Sequence, residues 1–229
     1  FMKILIDGDI LAYRAAYYCE DKDPEDGEHK IDDLVGHILG ATTFDGDDNV
    51  WEMFLTGKGN FRHDVQPTYK AQRKERPKPI FLKAMRQYLI EDYNAKVSEG
   101  QEADDDIAIR ATELGPSTII ASIDKDFLQI PCSHYNFNRG TLVEVGEFEG
   151  LQFVYGQILT GDTADNVIGL MGIGPVKSKK MLAKATTERE LYDRCVKAYK
   201  GDEEKVIENA RLLWLRREEG QVWQSPEAD

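Results

Sequence analysis

Lys3-Ile4-Leu5-Ile6-Asp7-Gly8-Asp9 begins with an aliphatic run that stops abruptly at two acids flanking a glycine. A short apolar run closed by a turn signal reads as a buried strand. The pattern recurs further along. Residues 50–55 (VWEMFL) form a second apolar run ending in a turn at Gly57 and Gly59, residues 95–97 a third, and residues 117–123 (STIIASI) a fourth. Between these runs, residues 10–19, 81–93 and 102–114 carry apolar side chains at helical spacing. Strands alternating with helices predict an α/β fold built on a parallel sheet. After about Glu147 only helical segments follow, at 151–159, 176–185, 188–200 and 203–217. The expected organisation is an α/β core over 1–146, a helical region over 147–220 and a loose tail over 221–229. The core includes a basic segment near 62–93, whose residues 62–78 read as a loop because they are polar and carry Pro67 and Pro77.

With 229 residues, 41% hydrophobic and 31% charged, the composition is that of a globular chain without a disorder signature. No apolar run approaches the roughly 18 residues of a membrane span, and the first aliphatic stretch is broken too early for a signal peptide. Cys19, Cys132 and Cys195 are odd in number and far apart, which suits reduced thiols rather than a disulfide framework or a zinc site. His29, His37, His63 and His134 show no zinc spacing, and neither a Gly-x-Ser-x-Gly elbow nor a phosphate loop is present.

The net charge of −13 argues at first against nucleic acid as a partner. Distribution matters more. From Lys58 to Arg86 there are nine basic and two acidic residues, a balance of +7, and from Asn166 to Thr187 four lysines and no acid. The acids gather elsewhere, directly after the apolar runs: Asp7 and Asp9; Glu102, Asp104, Asp105 and Asp106; Asp124 and Asp126. In open parallel sheets the C-terminal strand edge is where ligands bind, so these acids are expected to converge. Carboxylates that close repel one another and need a counter-charge, and a hard divalent cation supplies it. Each cluster has a plainer reading. Asp9 and Asp106 suit helix caps, and Asp104 and Asp105 suit an acidic first turn.

One further stretch carries a specific resemblance. Gly161-Asp162-Thr163-Ala164-Asp165-Asn166, followed by Gly169, Gly172, Ile173, Gly174 and Lys177, resembles the 5′-nuclease (flap endonuclease) family. Its other landmarks follow in order: Asp7-Gly8, Tyr69-Lys70 with Arg73, Glu102-Ala103-Asp104-Asp105, and Asp124-Lys125-Asp126. The match spans about Lys3 to Leu182, and the short N-terminus and compact length look like stand-alone phage-type 5′–3′ exonucleases acting in the host cytoplasm. The resemblance implies a PIN-like parallel sheet flanked by helices, followed by a helix–hairpin–helix (helix–three-turn–helix) element. It implies that Asp7, Glu102, Asp104, Asp105, Asp124, Asp126, Asp162 and Asp165 are metal-site residues holding two Mg2+ ions, replaceable by Mn2+. A continuous helix would place Glu102, Asp105 and Asp106 on one face and send Asp104 aside. The family pattern prefers Asp104, which requires Glu102 at or before the helix start. One departure stands out: family members usually carry a metal-site Asp after the second strand, where this chain reads Leu55-Thr56-Gly57-Lys58-Gly59.

By the same resemblance Lys70 and Arg73 steer and polarise the scissile phosphate as catalytic residues, with Tyr69 available to stack on a base. Gly172, Gly174, Lys177 and Lys180 hold the duplex backbone, with K+ at the Gly169–Gly174 hairpin. The partner implied is DNA with a free 5′ end (flap, nick or duplex end) or an RNA–DNA hybrid, engaged by a monomer with no membrane. The expected reaction is metal-assisted hydrolysis leaving a 5′-phosphate. A PIN-like ribonuclease and a DNA-binding scaffold with an incomplete metal site are the rival readings.

Overall fold

The aliphatic run at the start of the chain forms β1 (Lys3–Asp7), with Ile4, Leu5, Ile6 and Asp7 all buried. The computed structural model describes residues 2–43 and 50–227, and of residues 74 and 75 the backbone alone. Two units divide the chain: one of Phe1–Asn60, Pro77–Phe127 and Cys132–Glu144, the other of Phe61–Arg76, Leu128–Pro131 and Val145–Asp229.

In the first unit β1 lies at the centre of a six-stranded sheet. Its neighbours are β2 (Val50–Lys58) and β4 (Thr118–Ala121), with β3 (Lys96–Glu99) beyond β2, and β5 (Ser133–Asn136) and β6 (Thr141–Glu144) beyond β4. The β3-β2-β1-β4-β5 pairings are parallel, and only the β5–β6 hairpin is antiparallel. Side chains alternate across the sheet, so both faces must be covered, which is why the parallel strands read as continuous apolar runs. Ile4, Ile6, Met53, Leu55, Ile119 and Ala121 share one core with α1 (Gly8–Tyr18), α2 (Pro24–Thr42) and α4 (Leu82–Tyr93). Leu5, Phe54 and Ile120, on the alternate face, are buried too, and α5 (Ala103–Leu114) packs against β1, β2 and β4. The expected α/β fold with a mostly parallel sheet flanked by helices is what the structure has.

Several local expectations change. Helix α2 was not foreseen. Strand β2 runs on through Gly57 rather than turning there, because a Cβ at Gly57 would sit 2.0 Å from the Ser98 carbonyl oxygen of β3. Only a glycine lets the two strands approach so closely.

The second unit packs α6 (Glu147–Thr160), α7 (Pro175–Leu182), α8 (Glu188–Ala198) and α9 (Glu203–Leu213) around Val154, Tyr155, Ile158, Leu191, Tyr192 and Val206. A two-strand ladder, β7 (Gly161–Asp162) with β8 (Val167–Ile168), follows α6. The segment expected as a loop of the core belongs with these helices instead. It holds a short helix α3 (Arg62–Val65) and a 3-10 turn (Ala71–Glu75), and it is tied down. The Arg62 guanidinium is buried, donating to the carbonyls of Leu212 at 2.8 Å and Trp214 at 2.9 Å. Nor are residues 221–227 a loose tail, since Trp223 is buried in the helical core and its carbonyl accepts from Arg211. The expected tail also took in residues 228 and 229, which lie outside the described residues. Among the described residues no helix is long and apolar enough to cross a membrane.

Candidate functional site

Strand order reverses around β1: the chain steps outward to β2 and β3, then returns to the other side of β1 as β4. In such sheets the switch point at the carboxyl ends is where ligands bind. Asp7 closes β1 at this point. It caps α1, one oxygen accepting from the Ile10 amide at 3.3 Å, and its other oxygen accepts from the Ser122 hydroxyl at 2.7 Å. Ser122, just past the end of β4, in turn accepts from the Asp124 amide at 3.0 Å, and Asp124 accepts from the Asp126 amide at 2.9 Å. A chain of hydrogen bonds thus links Asp7 to Asp124 and Asp126 through Ser122, a residue that sequence reasoning did not single out. Burial, then the neighbouring charges of Asp9 and Asp124, push the Asp7 carboxyl up to about 7, against a lowering effect of the Ser122 bond.

On the opposite side of β1, Glu102 is the N-cap of α5, with extended backbone, as the Asp104 preference required. Asp104 is half-buried in the first turn, whereas Asp105 is fully buried and accepts from the Glu102 amide at 3.2 Å. Asp105 therefore works as a capping residue in this arrangement. Asp106 accepts from the Gln101 side chain. Where an acid was missing after the second strand, the Thr56 hydroxyl accepts from the Ala103 amide at 3.0 Å.

In the helical unit Asp162 ends β7 and Asp165 lies on the turn that joins it to β8. Asp162 accepts from the Ala164 amide at 2.7 Å, which holds the turn. Asp165 is the hub of a charged group: Arg73 donates to one oxygen at 2.5 Å, Lys70 lies 3.5 Å from the other, and the Tyr69 hydroxyl donates to it at 3.0 Å. Lys70 adopts a left-handed backbone (φ 54°), a costly state for a lysine that the bond from its amide to the Asp165 carbonyl supports. Lys70 and Arg73 are thus both held on the Asp165 carboxylate. The base-stacking role of Tyr69 is corrected: its ring is 2% exposed in the helical core, so no base can reach its face.

The hairpin before α7 has Gly172 at φ 73° and Gly174 as N-cap, both exposed, as are Lys177 and Lys180. The Lys177 ammonium donates to the Gly172 carbonyl at 2.8 Å and closes the turn. Gly169 has a different necessity: a Cβ there would lie 2.2 Å from the Thr160 carbonyl carbon. Gly169→Ala is expected to cost about 1–3 kcal/mol of stability in urea unfolding, the range for overpacking. An unchanged midpoint would show that the ladder gives way freely.

Among the described residues no group of three or more His, Cys, Asp or Glu side chains is arranged to hold a metal ion. The acids are engaged with backbone amides, Ser122, lysine and arginine. Against this geometry, a family model described as the 5′-3′ exonuclease N-terminal resolvase-like domain matches residues 2–149. The chain belongs to the 5′-3′ exonuclease family. Its relatives there include a flap endonuclease Xni of Shewanella sediminis, 31% identical over 166 residues that cover 66% of this chain and 61% of that protein. The DNA polymerase I of Chloroflexus aurantiacus is 31% identical over 75% of this chain but only 21% of the polymerase. The chain therefore spans less than two thirds of either protein. Among solved structures, the bacteriophage T5 flap endonuclease in a complex with DNA and metal ions superposes with a TM-score of 0.67 at 18% identity, covering 92% of this chain and 88% of that one. At that identity the likeness of this 5′-3′ exonuclease family member to the T5 protein is one of fold.

Proposed function

We propose that this protein is a divalent-metal-dependent 5′-nuclease that hydrolyses DNA from a free 5′ end. The observation that carries the reading is the set of acids at the carboxyl edge of the sheet, with Asp7 so crowded by burial and like charge that its carboxyl rises to about 7. Such a group gains most from a doubly charged counter-ion. The donor chemistry, all carboxylate oxygen without sulfur or imidazole, suits Mg2+ or Mn2+, and to hold an ion the acids would have to turn from their present hydrogen bonds toward it. Asp7, Asp124, Asp126, Glu102 and Asp104 would hold ions in the first unit, and Asp162 with Asp165 in the second. Asp105, spent on capping, would have to leave the Glu102 amide to join them. The ions would supply activation of water and charge neutralisation at phosphorus.

The chain's own groups supply the rest. Lys70 and Arg73, fixed on one carboxylate, present positive charge to the phosphate as water adds to phosphorus. The phosphorus–oxygen bond to the 3′ oxygen breaks, leaving a 5′-phosphate and a 3′-hydroxyl that takes up a proton. Gly172, Gly174, Lys177 and Lys180 would track a duplex backbone through amides and ammonium groups, contacts that position DNA without reading sequence. K+ at the hairpin would replace Lys177 on the Gly172 carbonyl and release that lysine toward a phosphate.

Flap, nicked-duplex and RNA-primed substrates labelled at the 5′ or 3′ end test the reading. Release of 5′-labelled products with Mg2+, and none with a chelator, is expected. Cutting of RNA flaps with DNA flaps left intact would favour the ribonuclease reading, and binding without cutting in Mg2+ or Mn2+ the scaffold. DNA affinity is expected to fall steeply with salt, the log–log slope approaching −0.9 per phosphate contact on duplex DNA. A flat response between about 50 and 200 mM salt would remove the phosphate contacts from the account.

A further inference from the structure

At the carboxyl edge of the sheet β1, β3 and β4 lead into acids: Asp7, Glu102 and Asp124. Strand β2 does not. Thr56, two residues before the end of β2 at Lys58, is neutral, and the charged group beside it is a guanidinium. Arg86, from α4, makes an ion pair with Asp9 in the first turn of α1 through one terminal nitrogen. The other terminal nitrogen donates to the Thr56 carbonyl at 2.5 Å. Asp9 is fixed from the β2 side as well, its second oxygen accepting from the Thr56 amide at 2.9 Å. Thr56, Asp9 and Arg86 therefore form a closed ring of contacts joining β2, α1 and α4. The Arg86 and Asp9 side chains remain 25% and 23% exposed.

We propose that Arg86 is a phosphate-contact residue of this nuclease, its guanidinium held at the end of β2 to receive an oxygen of the DNA strand being cut. The inference rests on the nuclease reading above. A guanidinium has five N–H donors, and the Asp9 and Thr56 contacts use two, so three remain for a phosphate in a fixed planar fork. Holding the fork on two acceptors from separate elements removes the rotamer freedom that a surface arginine would lose on binding. The position is close to the acids, since Asp9 follows Asp7 by two residues and the Thr56 hydroxyl accepts from the amide of Ala103, next to Glu102. A fixed cation there attracts the strand's phosphate, which the carboxylates alone would repel.

Fluorescence anisotropy of a labelled 5′-flap in EDTA, over a salt series, reads the contact without turnover. Arg86→Gln is the first variant, because its amide can still donate to Asp9 or to the Thr56 carbonyl. Its log–log salt slope is expected to be shallower by about 0.7–0.9, the loss of one phosphate contact. Its cleavage rate with Mg2+ is expected to fall about 100-fold, as when one oxyanion donor is removed. Arg86→Lys should recover the slope, having the charge, but little of the rate, lacking the fork. If Arg86→Gln fails to melt cooperatively, Arg86→Lys decides alone, and a wild-type rate in it overturns the proposal. So does Arg86→Gln with wild-type slope and rate, or one that binds Mn2+ more tightly and cuts faster, since Arg86 would then only exclude an ion. Wild-type protein that fails to cut with Mg2+ overturns the nuclease reading, while the salt slope still decides the phosphate contact.

Discussion

Asp124→Asn and Asp162→Asn are each expected to lower flap cleavage by at least about 1000-fold, some 4 kcal/mol of barrier, while duplex affinity is largely kept. Asparagine keeps the size of each side chain and an oxygen for the bond each now accepts, from the Asp126 amide at 2.9 Å and the Ala164 amide at 2.7 Å. The turns should therefore stand, and only the negative charge is lost. Duplex binding is assigned to Lys177, Lys180 and the hairpin amides, which neither substitution touches. Loss of cutting in both would show that each carboxylate is needed for the reaction. Single-turnover cleavage with anisotropy on the same preparations checks this. Equal loss of binding and cutting in a folded variant counts against the assignment.

Asp7→Asn is expected to destroy cleavage and yet stabilise the metal-free protein at pH 8. The Asp7 carboxyl is raised from 3.8 to about 7, chiefly by burial. Below about pH 4 it is protonated in both folded and unfolded chains and contributes no difference. Between pH 4 and 7 the unfolded chain releases the proton and the folded one keeps it, so this group's contribution to stability falls as pH rises and levels off above 7. At 1.36 kcal/mol per pKa unit the loss is about 4 kcal/mol at most. Asparagine cannot ionise, and it can still accept from the Ile10 amide, so melting in EDTA at pH 8 should rise by about 5–10 °C relative to wild type and little at pH 4. Mg2+ should raise the wild-type melting temperature at pH 8 more than that of the variant. A variant melting below wild type at pH 8 would show that the carboxylate stabilises the metal-free fold, the opposite of its assigned strain.

How far the sequence was readable depended on whether the deciding contacts were local. The parallel strands were legible because burial on both faces leaves unbroken apolar runs, and the place of Glu102 before α5 followed from the choice of Asp104 over Asp106. Helix α2 was missed although Ile31, Val35, Ile38 and Thr42 recur at helical spacing, because Gly27, Gly36 and Gly40 and a heavily charged start obscure the stripe. The β5–β6 hairpin was missed because Ser133-His134-Tyr135-Asn136 has no strand signature and is ordered by pairing with β4. Long-range packing explains the errors in the site. Proline and charge made residues 62–78 read as a loop, but Arg62 and Tyr69 spend their side chains on the helical core, 150 residues away in the case of Arg62 and Leu212. The expected loose tail failed for the same reason at Trp223. Ser122 and Arg86 carried no spacing signal, and only the fold sets them beside Asp7 and Asp9.

Titration of the wild-type protein with Mn2+, followed by the electron paramagnetic resonance of the free ion, tests most directly whether these carboxylates hold divalent cations. The account predicts saturable binding that releases protons near pH 7 as Asp7 ionises, and a weaker, nearly proton-neutral isotherm for Asp7→Asn. Wild-type protein that takes up no Mn2+ at millimolar concentration, with or without flap DNA, would contradict it.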